Sequence, residues 1–239
     1  MSFSDLSKSS IAKRIVRKMS RFLKIQEILN LENIGERLDM NYYSMDYEKL
    51  TPLQKAHYKR YEFAAAQIEN DVVADLACGT GYGSLMLSKK CKSVTGHDID
   101  VRTIKAIRKR YVRESNVFFE AKNLLNISCK NIFDKIISFE TIEHFTPDEI
   151  SIVLSLFHEA LKDGGKLIFS TPYDQKETVL SMRHHKTFNI VEATLKDYLD
   201  GLFEIEKFYF QDKDTYDVKN DEGVKDYIIC IAKKISARR

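Results

Sequence analysis

The 239-residue chain has no tryptophan, only four cysteines and nine glycines. It also has no apolar run approaching the ~18 residues that a membrane-spanning helix needs. The absence of tryptophan carries no functional reading. The missing apolar run excludes a spanning helix. No short hydrophobic core follows the basic N-terminus, as a secretory signal would require. Cys78, Cys91, Cys129 and Cys230 are scattered, with no C-x-x-C pair. That pattern fits a reducing cytoplasm and argues against a disulfide framework or a thiolate zinc site. Charge of either sign is nearly balanced, 38 basic against 35 acidic residues, for a net +3. So slight an excess does not call for a nucleic-acid partner. A hydrophobic content of 44% supports a buried core, and the length suits one domain with an added cap.

The scarce glycines are unevenly spent. Three of them stand at 79, 81 and 83, inside Val72-Val73-Ala74-Asp75-Leu76-Ala77-Cys78-Gly79-Thr80-Gly81-Tyr82-Gly83-Ser84. Apolar and small residues lead into Asp75, a glycine-rich turn follows, and Ser84-Leu85-Met86-Leu87 can start a helix. That is a buried parallel strand, a tight turn and a helix N-terminus, the arrangement by which α/β folds hold nucleotide-like ligands. Gly79 and Gly81, with no Cβ, let the backbone approach such a ligand closely. The dinucleotide fingerprint is G-x-G-x-x-G. Here the third glycine comes one residue early, and Asp75 lies four residues before the first.

Later segments keep the same alternation. A second strand ends at Ser93 to Asp98, and Asp98 falls seventeen residues after Gly81. An acid at that strand end can accept both hydrogen bonds of a ribose diol. Asp100 is the alternative. A third strand, Asn116 to Ala121, runs into Lys122-Asn123-Leu124. A fourth, Asp134 to Phe139, precedes Glu140-Thr141-Ile142-Glu143-His144-Phe145. A fifth, Gly165 to Pro172, follows Leu161-Lys162-Asp163-Gly164. Strand and helix patterns alternating from residue 72 imply a parallel sheet with right-handed crossovers. The final strands, near 204–210 and 226–233, are joined by a polar linker and suit an antiparallel end.

In its motif order over residues 57–211 the chain resembles the class I S-adenosylmethionine (AdoMet) methyltransferases. The early third glycine matches their G-x-G-x-G form, Asp75 their strand-one acid, and Val94-Thr95-Gly96-His97-Asp98-Ile99 their second motif. The resemblance implies an α/β fold with a seven-stranded, mostly parallel, doubly wound sheet, its last strand antiparallel, plus an N-terminal helical cap. It implies AdoMet as cofactor, held by Asp75, Gly79, Thr80, Gly81, Asp98, Ile99, Asn123, Leu124 and Phe139. Family members commonly carry Asp where Asn123 stands, so the adenine contact here is neutral rather than charge-assisted. The helix His57-Tyr58-Lys59-Arg60-Tyr61-Glu62-Phe63-Ala64 is similar to one preceding the first motif in bacterial sugar-modifying members. By that likeness Arg60 reaches the AdoMet carboxylate. The structural alternative is a pairing of Arg60 with a nearby acid.

The chemistry centres on Glu140 and His144 as catalytic residues. A helix starting at Glu140 would put Glu140, Glu143 and His144 on one face. Two carboxylates and an imidazole suit a divalent metal ion. This segment resembles the Glu-x-x-Glu-His site of small-RNA 2′-O-methyltransferases and ubiquinone-pathway O-methyltransferases. His184 or His185 would complete such a site. The competing readings are a histidine acting directly as general base, or His144 satisfying a buried backbone group. Thr171-Pro172-Tyr173 follows strand five rather than strand four, which disfavours base N-methylation of nucleic acid. The resemblance thus points to O-methylation of a small acceptor, such as a sugar, a nucleotide-sugar or a surface-polysaccharide intermediate. The alternatives are a quinone or lipid acceptor at a membrane surface, or a catalytically silent AdoMet-binding scaffold.

Residues 1–50 read as a basic helix and cap segment, and 51–239 as the methyltransferase domain. Residues 1–30 carry seven bases and two acids. Ile11, Ile15, Met19, Phe22 and Leu23 recur at helical spacing behind Ser9 and Ser10. Residues 11–29 are therefore open to three readings: a peripheral contact with an anionic membrane, a helix packed on the domain or on a homodimer partner, or a mitochondrial presequence.

Overall fold

The computed structural model describes residues 38–236 apart from 39, 180, 213, 221, 222 and 224. The N-terminal basic helix, with its membrane, dimer and presequence readings, lies outside the described residues. None of the described helices is long and apolar enough to cross a membrane.

The described chain forms one sheet between helical layers. Five strands, β1 (Val72–Leu76), β2 (Ser93–Asp98), β3 (Val117–Ala121), β4 (Phe133–Phe139) and β5 (Leu161–Pro172), run parallel. Then β6 (Phe203–Gln211), a two-residue β7 (Val218–Lys219) and β8 (Tyr227–Lys234) complete it. The order is β3-β2-β1-β4-β5-β8-β6-β7. β8 lies antiparallel between β5 and β6. The sheet thus has eight strands where seven were expected. The extra one is the short β7, which the polar linker adds by folding back on the end of β6.

Helix α1 (Pro52–Ala65) precedes β1, and α2 (Tyr82–Ser88), α3 (Val101–Arg110), α4 (Pro147–Ala160) and α5 (Glu192–Leu199) lie between strands. The starts of α1 and α4 follow from local chemistry. Thr51 accepts from the Gln54 N–H while the Gln54 side chain accepts from the Thr51 N–H. Thr146 and Glu149 repeat the exchange. Each helix then has proline at its first position, where no N–H is missed. Asp100 caps α3 by accepting from the backbone N–H groups of Arg102 and Thr103.

Two apolar clusters sandwich the sheet. On one face Tyr61 and Ala64 of α1, Leu85 and Leu87 of α2, and Ile104 and Ile107 of α3 pack on Val73, Val94 and Ile137. On the other, Ile150, Val153, Leu154 and Phe157 of α4 with Leu195 and Leu199 of α5 cover Ala74, Ile136 and Leu167. The chain winds outward from β1 both ways, toward β2–β3 and toward β4–β5. The carboxyl ends of β1 and β4 therefore flank a topological switch point, where ligands bind in such sheets.

The third glycine of the loop belongs to this packing. A Cβ on Gly83 would lie 2.1 Å from Cζ of Tyr61, so α1 and α2 meet through a bare backbone. Gly83→Ala should therefore lower stability in urea unfolding by about 1–3 kcal/mol, the usual cost of overpacking a filled core.

Candidate active site

Three positive φ angles shape the turn after β1: Ala77 at 64°, Gly79 at 52° and Gly81 at 74°. The left-handed region suits glycine, and Ala77 occupies it under the constraint of its surroundings. A Cβ at Gly81 would also meet Phe119 at 2.8 Å, whereas one at Gly79 would meet nothing within 4 Å. Gly79 therefore faces open space, and its N–H donates to Oδ2 of Asp98 at 3.0 Å. Oδ1 of Asp98 accepts from the Asp100 N–H at 2.9 Å. Of the two candidate ribose acids, Asp98 is buried beside the glycine turn, and Asp100 accepts from the first N–H groups of α3. Ile99 between them is exposed.

Asp75 points inward. It is fully buried and accepts from Tyr61 Oη at 2.9 Å and Ser84 Oγ at 2.6 Å. Its carboxylate thus ties α1 and α2 to the end of β1, and acts on any ligand through what it holds. Phe139 is likewise buried, with its ring edge-on to Tyr61 at 5.1 Å. The Thr80 hydroxyl donates to the Leu38 carbonyl at 2.9 Å. The buried Met40, with Leu38, Tyr42, Met45 and Leu50, packs in the same apolar cluster as Cys78 and Tyr82 of the glycine turn. Oδ1 of Asn123 accepts from the Leu125 N–H at 3.0 Å, and Leu124 is buried beside it.

Arg60 is the most unusual group in the fold. Its side chain is 0% exposed. Nη1 donates to Oε1 of Gln211 at 2.6 Å, and the guanidinium carbon lies 4.5 Å from the centroid of the Tyr227 ring. Nε and Nη2 find no hydrogen-bond partner among the described residues, nor does the buried hydroxyl of Tyr82. The expected alternative, pairing with a nearby acid, is not what the structure contains. A buried guanidinium with unpaired N–H groups is costly unless a ligand completes it. Nε–H and Nη2–H form one edge, spaced to match the two oxygens of a carboxylate. Burial and the charge of Arg60 also push His57, on the preceding turn of α1, well below its ordinary value.

Past β4 the backbone departs from the expected helix. Only a short 3₁₀ turn, Ile142–His144, forms. Glu140 precedes it at φ 50°. Glu140 therefore does not share a face with Glu143 and His144. Its Oε1 accepts from Ser170 Oγ at 2.6 Å, and it is not among the donors that converge in the described residues. Glu143, His144 and His185 do converge: one donor atom from each lies within 4.8 Å of the others. His144 Nδ1 donates to the His184 carbonyl at 2.9 Å, and His185 Nδ1 to Oε1 of Gln175 at 2.5 Å. Oε2 of Glu143 accepts from the Thr171 hydroxyl at 3.0 Å. The His184 ring stays outside the cluster, and that residue contributes its carbonyl.

Gln175, Gln211 and Tyr227 had no sequence signal. Gln211 meets Arg60 across 151 residues, and no local pattern marks such a pair.

Burial lifts the Asp75 carboxyl to about 6, against the opposing hydrogen bonds from Ser84 and Tyr61 and with a smaller push from Asp98. Asp75 thus binds its proton more tightly folded than unfolded. The stability this contributes is fully present below 3.8 and is lost as pH rises through about 6. Measured against Asp75→Asn by chemical denaturation, the wild type should lose relative stability across that window and change little above it.

The geometry can be set beside known proteins. Residues 73–165 match the family described as "Methyltransferase domain". A malonyl-[acyl-carrier protein] O-methyltransferase of Hamiltonella defensa is 28% identical over 125 residues, 52% of this chain and 47% of that protein. The chain thus spans about half the length of this curated relative. Among solved structures, N-methyltransferase NodS from Bradyrhizobium japonicum, in complex with S-adenosyl-L-homocysteine, superposes with a TM-score of 0.62. It has 16% identity and covers 79% of this chain and 90% of that one. The PH0226 protein of Pyrococcus horikoshii gives 0.60 at 19% identity, over 82% and 100%. These two likenesses bear on the fold, and the family match on the domain. Residues 73–165 are thus similar to a methyltransferase domain, and the fold is similar to that of a methyltransferase solved with S-adenosyl-L-homocysteine.

Proposed function

We propose that the chain methylates a hydroxyl group of a small polar acceptor, placed between the cofactor and the Glu143–His144–His185 cluster. AdoMet supplies a methyl group already activated on a sulfonium. The chain's residues must then hold the donor, align the acceptor and take up a proton.

One observation carries the reading. Both His144 and His185 donate through Nδ1 to a fixed oxygen, so in each neutral ring Nε2 is the lone-pair nitrogen. Two such imidazoles beside a buried carboxylate form a basic site at the carboxyl end of β4. A carboxylate acceptor, such as a malonyl group, is already a nucleophile and needs no base. A hydroxyl does, and the cluster suits it. In this reading His144 takes the acceptor proton. The Arg60 edge receives the AdoMet carboxylate, Asp98 the ribose, and Asn123 with Leu124 the adenine. Gly79 leaves room for the cofactor backbone. The likeness of the His57–Ala64 helix to sugar-modifying members supports a sugar or nucleotide-sugar acceptor.

A second reading has its own observation. Glu143, His144 and His185 present one carboxylate and two imidazoles, each held by a further hydrogen bond, as ligands of a divalent ion commonly are. Bound there, a metal would lower the acceptor hydroxyl's pKa and orient it. The quinone or lipid alternative rests on residues 11–29 and has no support among the described residues. A silent AdoMet-binding scaffold is the reading left if cofactor binds and no acceptor turns over.

In calorimetry, S-adenosylhomocysteine should bind the wild type, and Arg60→Ala should weaken it roughly 30-fold or more, the scale of a lost buried charge partner. Absence of binding to folded protein would sink the proposal. A tritiated-methyl screen over glycans, nucleotide sugars and quinols identifies the acceptor class. With that acceptor, His144→Ala should lower kcat by about 10²-fold or more. Near-normal turnover would remove both readings of His144. Activity that survives exhaustive chelation, with no gain from Mg²⁺, Mn²⁺ or Zn²⁺, leaves only the metal-free one.

A further inference from the structure

The C-terminal strands reach the cofactor side of the molecule at one place. Gln211 ends β6 and Tyr227 begins β8, and the two are register partners across that antiparallel pair. Both touch Arg60. Oε1 of Gln211 accepts from Nη1 at 2.6 Å, and the guanidinium carbon lies over the Tyr227 ring, 4.5 Å from its centroid. The remaining in-plane edge, Nε and Nη2, is the unpartnered one.

Gln211 is itself fixed. It is 0% exposed, and Nε2 donates to the carbonyls of Ala56 at 2.9 Å and Tyr216 at 2.7 Å. Ala56 belongs to α1, one turn before Arg60. Tyr216 belongs to the turn that leads into β7. With both donors spent on carbonyls, a flipped amide would set its N–H groups against those of Arg60 and its oxygen against the two carbonyls. Oε1 is thus held toward the guanidinium. Burial and the charge of Glu140 push the Tyr227 hydroxyl above its ordinary value, with Arg60 opposing.

We propose that Gln211 and Tyr227 are positioning residues for cofactor recognition: they hold Arg60 through its Nη1 hydrogen bond and through the ring beneath its guanidinium carbon, so that its Nε/Nη2 edge is the one offered to the amino-acid carboxylate of AdoMet. The inference rests on the assignment of Arg60 to that carboxylate. It makes the β6–β8 hairpin, which contains none of the family's motif residues, a determinant of which adenosyl ligands bind. Ligands with the amino-acid tail gain from the clamp, and tailless adenosyl thioethers do not.

The test compares S-adenosylhomocysteine with 5′-methylthioadenosine, which lacks the tail, by calorimetry on the full chain. The wild type should prefer the tailed ligand, and Arg60→Ala should abolish most of that preference. Gln211→Leu should cut the preference roughly tenfold while affinity for 5′-methylthioadenosine stays unchanged. In the Arg60→Ala background it should add nothing further. Tyr227→Leu, which leaves every one of these hydrogen bonds in place, gives the same readout if Gln211→Leu fails to fold. Should Arg60→Ala leave the preference intact, the carboxylate assignment fails, and the clamp with it. Should Arg60→Ala abolish it while the folded clamp variants keep it, the clamp alone is overturned. An equal loss for both ligands in the clamp variants would show a merely structural role and overturn it too.

Discussion

The buried Asp75 carboxylate is the joint on which the cofactor side of this molecule depends. It ends β1 and takes one hydrogen bond from α1, through Tyr61, and one from α2, through Ser84. Gly83 lets those helices meet at the Tyr61 ring. Because Arg60 is the neighbour of Tyr61, the same hydrogen bond that docks α1 also sets where the guanidinium enters the core. A charge normally solvated is thus brought beside the glycine turn by an interaction that touches no ligand. The raised affinity of Asp75 for a proton is the cost of burying that joint.

Around the joint the labour is divided between two edges. The β1–β2 side is built from backbone: the glycine turn, the Asp98 carboxylate that accepts from two main-chain N–H groups, and the carbonyl of Leu38 over Thr80. Such a surface suits a nucleotide-like ligand at the carboxyl ends of the strands. The β4–β5 side is built from side chains on irregular segments, with His185 and Gln175 supplied by the stretch after β5. Loops of this kind change without disturbing the sheet, which is how one scaffold serves many acceptors.

Legibility in the sequence followed the range of the forces. The β1 turn, the Thr51 and Thr146 caps and the alternation of strand and helix are local, and each was readable from adjacent residues. Asp98 and Asp100 were adjacent candidates, and the cap that Asp100 makes on α3 was not distinguished from a ligand role by the sequence. The Glu140–His144 segment was read with helical spacing. The left-handed Glu140 and the pairing of its carboxylate with Ser170 break that period, and so change the ligand set. Asp75 and Thr80, expected at the cofactor, each have side-chain hydrogen bonds to protein partners that adjacent residues did not signal. Gln211 and Tyr227 were invisible, because their partner is 151 residues from Gln211 along the chain and their own neighbourhood reads as an ordinary strand end.

The placement of β8 between β5 and β6 has a consequence for how the protein comes into being. β6 has no sheet neighbour other than β8 and the two-residue β7, so it cannot join the main sheet until β8 has been made. On the ribosome, β1 to β5 can assemble while the chain is still growing. Arg60 meanwhile waits in that nascent domain without the amide and ring that later grip it. Completion of the guanidinium's surroundings is therefore a late, long-range event in synthesis.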